Sequence, residues 1–345
     1  MRTGTWPCLA AACLAVLAAN AAAQTSDCTV AASPACYQRF EPPGAGGTLN
    51  YYASLAPGEG AEPTRALVAL HGHPRDAGKT FGAALQAVRD AGALRDTLVV
   101  APMFQVAAEQ AARCSSPGVP AAQAGDLLWT CSSWIEGGPS ANGARVTSFA
   151  AMDALVAELV RRWPGLRTVT VAGFSAGGQM VQHYIGFANA APAGASSSAA
   201  TVALRYVVAD PGTWLYFDAW RPHPPADGTC PGVNRWKYGT DDLPASLGRS
   251  AAQARERYAA ADVHYLEGAL DGSDARGTYY GILDKSCAAM AQGPYRLQRG
   301  LAYAEYEWTL LAPGRRREVV VVPGCAHDVA CVFPSEAARA VLLGR

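Results

Sequence analysis

Six short apolar runs alternate with segments of helical spacing along most of the 345-residue chain. The runs predict buried strands because they are short, and the best of them are rich in Val and Thr. The runs lie at 66–70, 97–101, 168–172, 205–209, 263–266 and 318–322. The helical segments lie at 81–91, 147–162, 245–259, 286–308 and 336–343. Strands separated by helices predict an α/β fold with a mostly parallel central sheet and helices on both faces.

Some predictions concern the ends of single elements. Thr147 is the expected N-cap of the second helical segment, with Ser148 as the alternative. Pro102 is expected to stop the second apolar run, since proline has no backbone N–H to donate. A further strand, earlier in the chain, is predicted at 49–55.

Composition and charge limit the class of protein. Hydrophobic residues make up 50% of the chain, enough to bury the core of one large α/β domain, which we place at 24–345. Within it, 211–244 is rich in aromatics and prolines and predicts a cap-like insertion. The formal net charge is +0. Nucleic acid and anionic membranes are therefore not expected partners, because both favour proteins with a basic excess.

The first 23 residues have the pattern of a signal peptide. Arg2 supplies the positive start, an apolar run extends over 9–23, and the small residues at 21–23 suit cleavage after Ala23. We therefore expect a secreted or periplasmic protein with no membrane anchor after signal removal.

The cysteines agree with export. Of ten, Cys8 and Cys13 lie in the signal segment, which leaves eight. An even number in an exported chain predicts disulfides, although eight cysteines allow about 105 connectivities. Pairing of neighbours is the simplest prediction: Cys28–Cys36, Cys114–Cys131, Cys230–Cys287 and Cys325–Cys331. A zinc site is not predicted, because no Cys-x-x-Cys pair occurs and the histidines are scattered.

A Gly-x-Ser-x-Gly sequence stands between the third apolar run and a helical segment. Ser175 is its serine, flanked by Gly173 and Gly177. In a strand-turn-helix setting such a serine sits on a strained turn, and the glycines let neighbouring backbone pass closely. The N–H of Ala176, at the helix N-terminus, would then point toward a developing oxyanion. A plain glycine-rich connection is the alternative.

Two further polar groups follow later strands. Asp271 comes shortly after the fifth run, and His327 directly after the sixth. An imidazole is the base that a serine hydroxyl needs at neutral pH, and a carboxylate holds that imidazole in one tautomer. Because the carboxyl ends of parallel strands meet at one edge of a sheet, we expect the three groups to converge. For the acid, Glu267, Asp274 and the more distant Asp284 remain alternatives.

The chain thus resembles the α/β-hydrolase superfamily over roughly residues 49–345. The resemblance rests on residues 70–73 (LHGH), 171–179 (VAGFSAGGQ), 268–271 (GALD) and 323–328 (PGCAHD). The order Ser, Asp, His along the chain is also that of the superfamily.

The resemblance implies a serine hydrolase that forms an acyl-enzyme and needs no metal or other cofactor. In this fold the loop after the first buried strand supplies the second oxyanion donor, which assigns the N–H of His73 to that task. A small-molecule or polymeric carboxylic ester is the expected substrate. A secreted serine peptidase of the same fold and a catalytically silent binding scaffold are the alternatives.

Aromatic residues in irregular segments are candidates for the walls of a substrate pocket. The three we single out are Trp134, Trp214 and Trp236. The alternative is that they pack beneath their own loops as part of a core.

Overall fold

The computed structural model describes Met1 and residues 28–56, 62–189, 202–225 and 228–344. Apart from Met1, the predicted signal peptide at 1–23 lies outside these residues. Within the described part of the chain, eight strands form one mixed sheet in the order β1-β2-β4-β3-β7-β8-β9-β10, and β5 pairs with β6 separately. The strands are β1 (Tyr37–Phe40), β2 (Leu49–Ala53), β3 (Arg65–Leu70), β4 (Thr97–Met103), β5 (Gln105–Val106), β6 (Leu128–Trp129), β7 (Thr168–Phe174), β8 (Ala203–Ala209), β9 (Asp262–Gly268) and β10 (Val319–Val322).

The described helices lie on both faces of this sheet. They are α1 (Ala77–Asp90), α2 (Ala108–Cys114), α3 (Ser148–Arg162), α4 (Ala176–Phe187), α5 (Ala251–Ala260), α6 (Cys287–Met290), α7 (Arg296–Tyr306), α8 (Val329–Val332) and α9 (Glu336–Leu343). Among the described strands of the large sheet, only the pairings β1–β2 and β2–β4 are antiparallel, which confirms the prediction of a mostly parallel sheet.

Alternate residues of each central strand enter two different cores. In β3, Val68 and Leu70 pack into the core under α3, α4, α5 and α7, while Leu67 and Ala69 pack into the core under α1, α8 and α9. A strand buried on both faces has no polar side, and for this reason the central strands read as continuous apolar runs in the sequence.

All six predicted strands are present, and so is the earlier one, as β2. The predicted stop at Pro102 is wrong, because β4 continues to Met103. The pairing of β3 with β4 ends at Val100, so Pro102 has a strand partner only in β2 and its missing N–H breaks no bond to β3. The segment at 105–146, where no element is predicted, contains β5, α2 and β6, which are too short to produce a periodic pattern.

The helix ends follow local chemistry. Thr147 caps α3 by accepting a hydrogen bond from the N–H of Ala150, which confirms the preferred cap over Ser148. The single helix predicted at 245–259 is divided, because Gly248 adopts φ 69° and ends a short 3₁₀ turn before α5. Ser250 then begins α5 with a capping box.

The predicted insertion at 211–244 contributes to the core. Trp214, Leu215 and Tyr216 are fully buried in the core beneath α7. Its described residues, 211–225 and 228–244, form no helix and only an isolated bridge between Arg235 and Asp241. Its role as a cap stays a prediction.

The eight cysteines form the four predicted pairs. The bonds are Cys28–Cys36, Cys114–Cys131, Cys230–Cys287 and Cys325–Cys331. Each bond joins two cysteines that are successive in the described chain. The bond with the widest separation, Cys230–Cys287, joins the segment after β8 to α6 across 57 residues. In the described part of the chain, no helix combines the length and the apolarity needed to cross a membrane.

Removing the widest disulfide is expected to cost more stability than removing the narrowest. Chain-entropy arguments give about 4 kcal/mol for the Cys230→Ala/Cys287→Ala protein and about 2 kcal/mol for Cys325→Ala/Cys331→Ala. The reason is that the first bridge closes 57 residues and the second 6. Urea unfolding of both variants measures the difference. A larger loss in the Cys325→Ala/Cys331→Ala protein would contradict the expectation.

Candidate active site

Ser175 occupies a tight turn between β7 and α4. Its φ of 58° lies in the left-handed region, an uncommon conformation for a residue with a side chain. The N–H of Ser175 donates to the carbonyl of Ala209 at 2.9 Å, which ties the turn to the end of β8. A Cβ at Gly173 would overlap the carbonyl of Gly177, and one at Gly177 would overlap the carbonyl of Leu70. Only glycine therefore fits at the two flanking positions, as the sequence predicts.

The structure brings the serine, histidine and aspartate together. Ser175 Oγ lies 2.8 Å from Nε2 of His327, and Nδ1 of His327 lies 2.7 Å from Oδ2 of Asp271. The imidazole comes from the loop after β10 and the carboxylate from the turn after β9. These strands are parallel neighbours, so both loops emerge at the same edge of the sheet as the serine turn.

Further contacts hold Asp271 and His327 in place. Arg296, on α7, lies 3.4 Å from Oδ1 of Asp271 and donates to the carbonyl of Thr278 at 2.6 Å. The N–H of His327 donates to the carbonyl of Gly277 at 3.2 Å, and the Cys325–Cys331 bond closes its loop. A base held in this way stays aligned with the hydroxyl.

Burial sets the protonation state of the imidazole. Desolvation lowers the pKa of His327 below its usual value, and the hydrogen bond that the imidazole donates to Asp271 opposes this shift only in part. The ring of Phe174 lies 4.8 Å from the imidazole ring and forms part of its apolar surroundings. The neutral form, which accepts a proton, is thus favoured at neutral pH.

Two segments of backbone lie beside Ser175, the start of α4 and the loop after β3. Ala176 is the first residue of α4, so its N–H has no acceptor within the helix. On the other side, Gly72 brings the backbone so close that a Cβ there would lie 3.5 Å from that of Ser175. His73 follows it and lines the cavity above the serine. The backbone around both predicted oxyanion donors thus lies near Ser175, and their role stays a prediction.

His71 fastens the loop that carries His73. It is fully buried, its Nδ1 lies 2.9 Å from the carbonyl of Gly72, and its Nε2 accepts from the N–H of Phe104 at 3.2 Å. Desolvation lowers the pKa of His71 to about 3, so the ring stays neutral and its second nitrogen remains an acceptor. This imidazole therefore connects the ends of β3 and β4.

A cavity of about 480 Å³ opens onto Ser175 and His327. Its rim carries two exposed apolar side chains, Tyr279 at 60% and Ile282 at 71%. Asp76 and Lys79 supply charged groups elsewhere on the wall. The volume is in the range of small-molecule sites, and the wall combines apolar surface with a few polar groups.

The three tryptophans predicted to form the pocket do not line this cavity. Trp134 and Trp214 are fully buried in the core, and Trp236 packs edge-on against His183 and Phe187. The prediction is wrong because an indole gains more from packing beneath a loop than from exposure at its surface.

The alternative acids have no hydrogen bond to His327 in the described part of the chain. Asp274 is exposed, and Asp284 accepts a hydrogen bond from the hydroxyl of Tyr238 at 2.6 Å. Glu267 is fully buried within β9, where it has no ionic partner among the described residues. Only Asp271 has a hydrogen bond to His327.

Sequence reasoning missed four residues of this site. Tyr279 and Ile282 form the rim but stand in a segment without periodicity, and Arg296 backs the acid from a helix. Asp210 was also missed, although it directly follows β8 and is fully buried beside the triad. Its position directly after a strand is the same feature that predicts Asp271 and His327 as site residues.

Comparison with known proteins places the chain by fold. No protein-family model and no curated protein sequence matches it. It is similar to the solved structure of poly(aspartic acid) hydrolase-1 from Sphingomonas sp. KT-1, with a TM-score of 0.60 and 19% identity over 89% of this chain and 97% of that one. It is also similar to the poly(3-hydroxybutyrate) depolymerase from Bordetella parapertussis, with a TM-score of 0.57 and 19% identity over 90% of this chain and 91% of that one. Together with the sheet order and the serine turn between β7 and α4, these likenesses show that the chain has the α/β-hydrolase fold.

Proposed function

We propose that the chain is a secreted serine hydrolase that cleaves carboxylic esters through an acyl-enzyme. One observation carries the proposal: two hydrogen bonds join Ser175, His327 and Asp271 in a row at the wall of an open cavity. A neutral imidazole between a hydroxyl and a carboxylate is the arrangement that activates a serine.

In the first step, His327 accepts the proton of Ser175 while Oγ attacks the ester carbonyl. The carbonyl oxygen becomes an anion that the N–H groups of His73 and Ala176 bind, aided by the positive end of the α4 dipole. Asp271 stabilises the imidazolium, and His327 then gives the proton to the departing alcohol. The products of this step are the free alcohol and an acyl group bonded to Ser175.

In the second step, water replaces the alcohol. His327 removes a proton from the water, which attacks the acyl carbonyl, and the same two N–H groups bind the oxyanion. Return of the proton to Ser175 releases the carboxylic acid. Besides the ester and water, these steps use groups of the chain.

The cavity favours an ester whose acyl or alcohol part is largely apolar. Tyr279, Ile282 and Val119 offer apolar wall, and the cavity volume suits a small-molecule ester or the end of a longer chain. The two solved structures described above are named for polymer substrates, so oligomeric and polymeric esters belong in any substrate screen.

Export is the second part of the proposal. The signal-like segment at 1–23 and four disulfides both suit a protein that folds outside the reducing cytoplasm. Secretion to the medium and retention in the periplasm are distinguished by fractionation of cells that express the full chain.

A fluorophosphonate probe tests the proposed chemistry. We expect the parent protein to be labelled on Ser175, to lose ester hydrolysis in proportion, and to yield one labelled peptide by mass spectrometry. Ser116→Ala is the matched control, since this serine lines the same cavity without an imidazole partner among the described residues. Failure to label Ser175 would favour a silent scaffold, and turnover of peptide anilides but not esters would favour a peptidase.

The acid limb of the pH profile is expected to have its midpoint at a low pH. Because burial lowers the pKa of His327, kcat/KM should fall on acidification with a midpoint below the usual histidine value of about 6.5. Activity falls rather than rises on acidification because the neutral imidazole is the active form. The exposed His223 provides the control variant His223→Gln, which should leave the profile unchanged. A midpoint above about 7 would contradict this reading of the site.

A further inference from the structure

Three buried carboxyl groups stand together behind the serine, and the mechanism above uses only one. They belong to Asp210, Glu267 and Asp271, which we call the carboxyl cluster. Asp210 directly follows β8, Glu267 is the next-to-last residue of β9, and Asp271 lies in the turn after β9. Since β8 and β9 are paired parallel strands, all three reach the same edge of the sheet.

Asp210 lies within reach of the imidazole. One oxygen of Asp210, one oxygen of Asp271 and one ring nitrogen of His327 all lie within 4.8 Å of one another. Oδ1 of Asp210 accepts a hydrogen bond from the N–H of Gly268 at 2.8 Å. Its Oδ2 is buried and accepts no hydrogen bond from an N–H or hydroxyl donor in the described part of the chain. The backbone thus anchors one oxygen, while the other keeps a lone pair for a further donor even where a protonated carboxyl donates to it.

The cluster faces too little positive charge for all its members to ionise. Arg296 is the guanidinium beside it, and the bond to Asp271 occupies it. Desolvation and the Asp271 carboxylate raise the pKa of Asp210 to about 8, and burial raises that of Glu267 well above its usual range. Gly300, on α7, leaves room for the Glu267 carboxyl, because a Cβ at position 300 would overlap that carboxyl. The protonated Glu267 carboxyl donates to Asp210.

We propose that Asp210 is a second positioning residue for His327, able to take over the hydrogen bond to the imidazole when the Asp271 carboxylate is lost. The inference rests on the proposed function, because it concerns the same base. An oxygen of Asp210 already lies within 4.8 Å of a ring nitrogen of His327, so once the Asp271 carboxylate is removed a small side-chain movement brings Asp210 to hydrogen-bonding distance. It also leaves the buried Arg296 without an anion, and ionised Asp210 is the acid beside it that restores neutrality.

Four proteins test this: the parent, Asp271→Ala, Asp210→Asn and the double variant. Asparagine suits position 210 because it keeps the acceptor for Gly268 and tolerates the φ of 46° there. We expect kcat to fall about 100-fold in Asp271→Ala and about 10⁴-fold in the double variant, the loss typical when a triad lacks its acid. Asp210→Asn alone should stay within about threefold of the parent.

The pH dependence separates positioning from a merely structural role. The titratable and charged groups that face Asp210 are Glu267, Asp271, Arg296 and His327. In Asp271→Ala the repulsion from Asp271 is gone, so Asp210 should ionise below pH 8 or so. The ratio of kcat in Asp271→Ala to kcat in the double variant should therefore rise with pH as Asp210 ionises. A structural role predicts a constant ratio.

Further variants guard the result against misfolding. Melting temperatures show whether Asp271→Ala and the double variant are folded. Asp271→Asn keeps the volume of the side chain and leaves Asp210 no room to move, so it is the matched control: adding Asp210→Asn to it should change kcat by less than about threefold. Glu267→Gln added to Asp271→Ala should change nothing further, since the amide still donates to Asp210. Equal rates in Asp271→Ala and the double variant, or a full 10⁴-fold loss in Asp271→Ala alone, would overturn the proposal. Activity that survives His327→Ala would instead refute the proposed function.

Discussion

Replacing Ser175 by alanine is expected to lower kcat for ester hydrolysis by about 10⁵- to 10⁶-fold. Alanine keeps the Cβ and so leaves the backbone strain at φ 58° unchanged. It removes only the hydroxyl and its bond to His327 at 2.8 Å. The melting temperature should therefore stay within a few degrees of that of the parent.

The double variant sharpens this expectation. Because the hydroxyl and the imidazole act as one unit, Ser175→Ala/His327→Ala should be no slower than either single variant. Steady-state kinetics with a nitrophenyl ester provides the rates, and Ser116→Ala is the control in the same cavity. If Ser175→Ala turned over the ester within about tenfold of the parent, the nucleophile would have to be another group.

Gly173→Ala is expected to destabilise the fold by about 3 kcal/mol or more. Its Cβ would overlap the backbone of Gly177 and Gly178, which belong to the first turn of α4. A flexible side chain could move aside, but this backbone is fixed between β7 and the helix. Relief would require the helix to shift away from β3 and β8, which would also displace Ser175.

The same substitution at Gly82 provides the matched control. Gly82 lies within α1, and no neighbour stands within 4 Å of a Cβ placed there. Alanine restricts the unfolded chain and favours the helix, so Gly82→Ala should stabilise the protein by about 0.5–1 kcal/mol. Chemical denaturation of both variants reads out the opposite signs. A neutral result at Gly173 would show that the turn is looser than its contacts indicate.

Features that depend on neighbouring residues could be predicted from the sequence. The strand, the serine turn and the helix at 168–187 are contiguous, and the glycines that allow the turn flank the serine directly. Thr147 caps α3 three residues before its partner Ala150. The disulfide pairing could also be predicted, since each bond joins cysteines that are successive in the chain.

The convergence of distant groups could be predicted only through topology. Parallel strands bring their carboxyl ends to one edge, and this rule alone connects Ser175, Asp271 and His327 across the chain. The same rule applies to Asp210, but the sequence has no mark that separates a buried acid beside the imidazole from an ordinary turn residue. Its neighbours come from β9 and α7, which are distant in sequence.

The sequence by itself thus determined the strand-helix alternation, the serine turn and the residues that follow each strand, because period, propensity and turn chemistry act over a few residues. The tertiary structure alone decided which tryptophans are buried, which apolar groups form the rim of the cavity, and how many carboxyl groups stand behind His327. Burial and charge pairing depend on packing between segments far apart in the chain, and no local pattern records that packing.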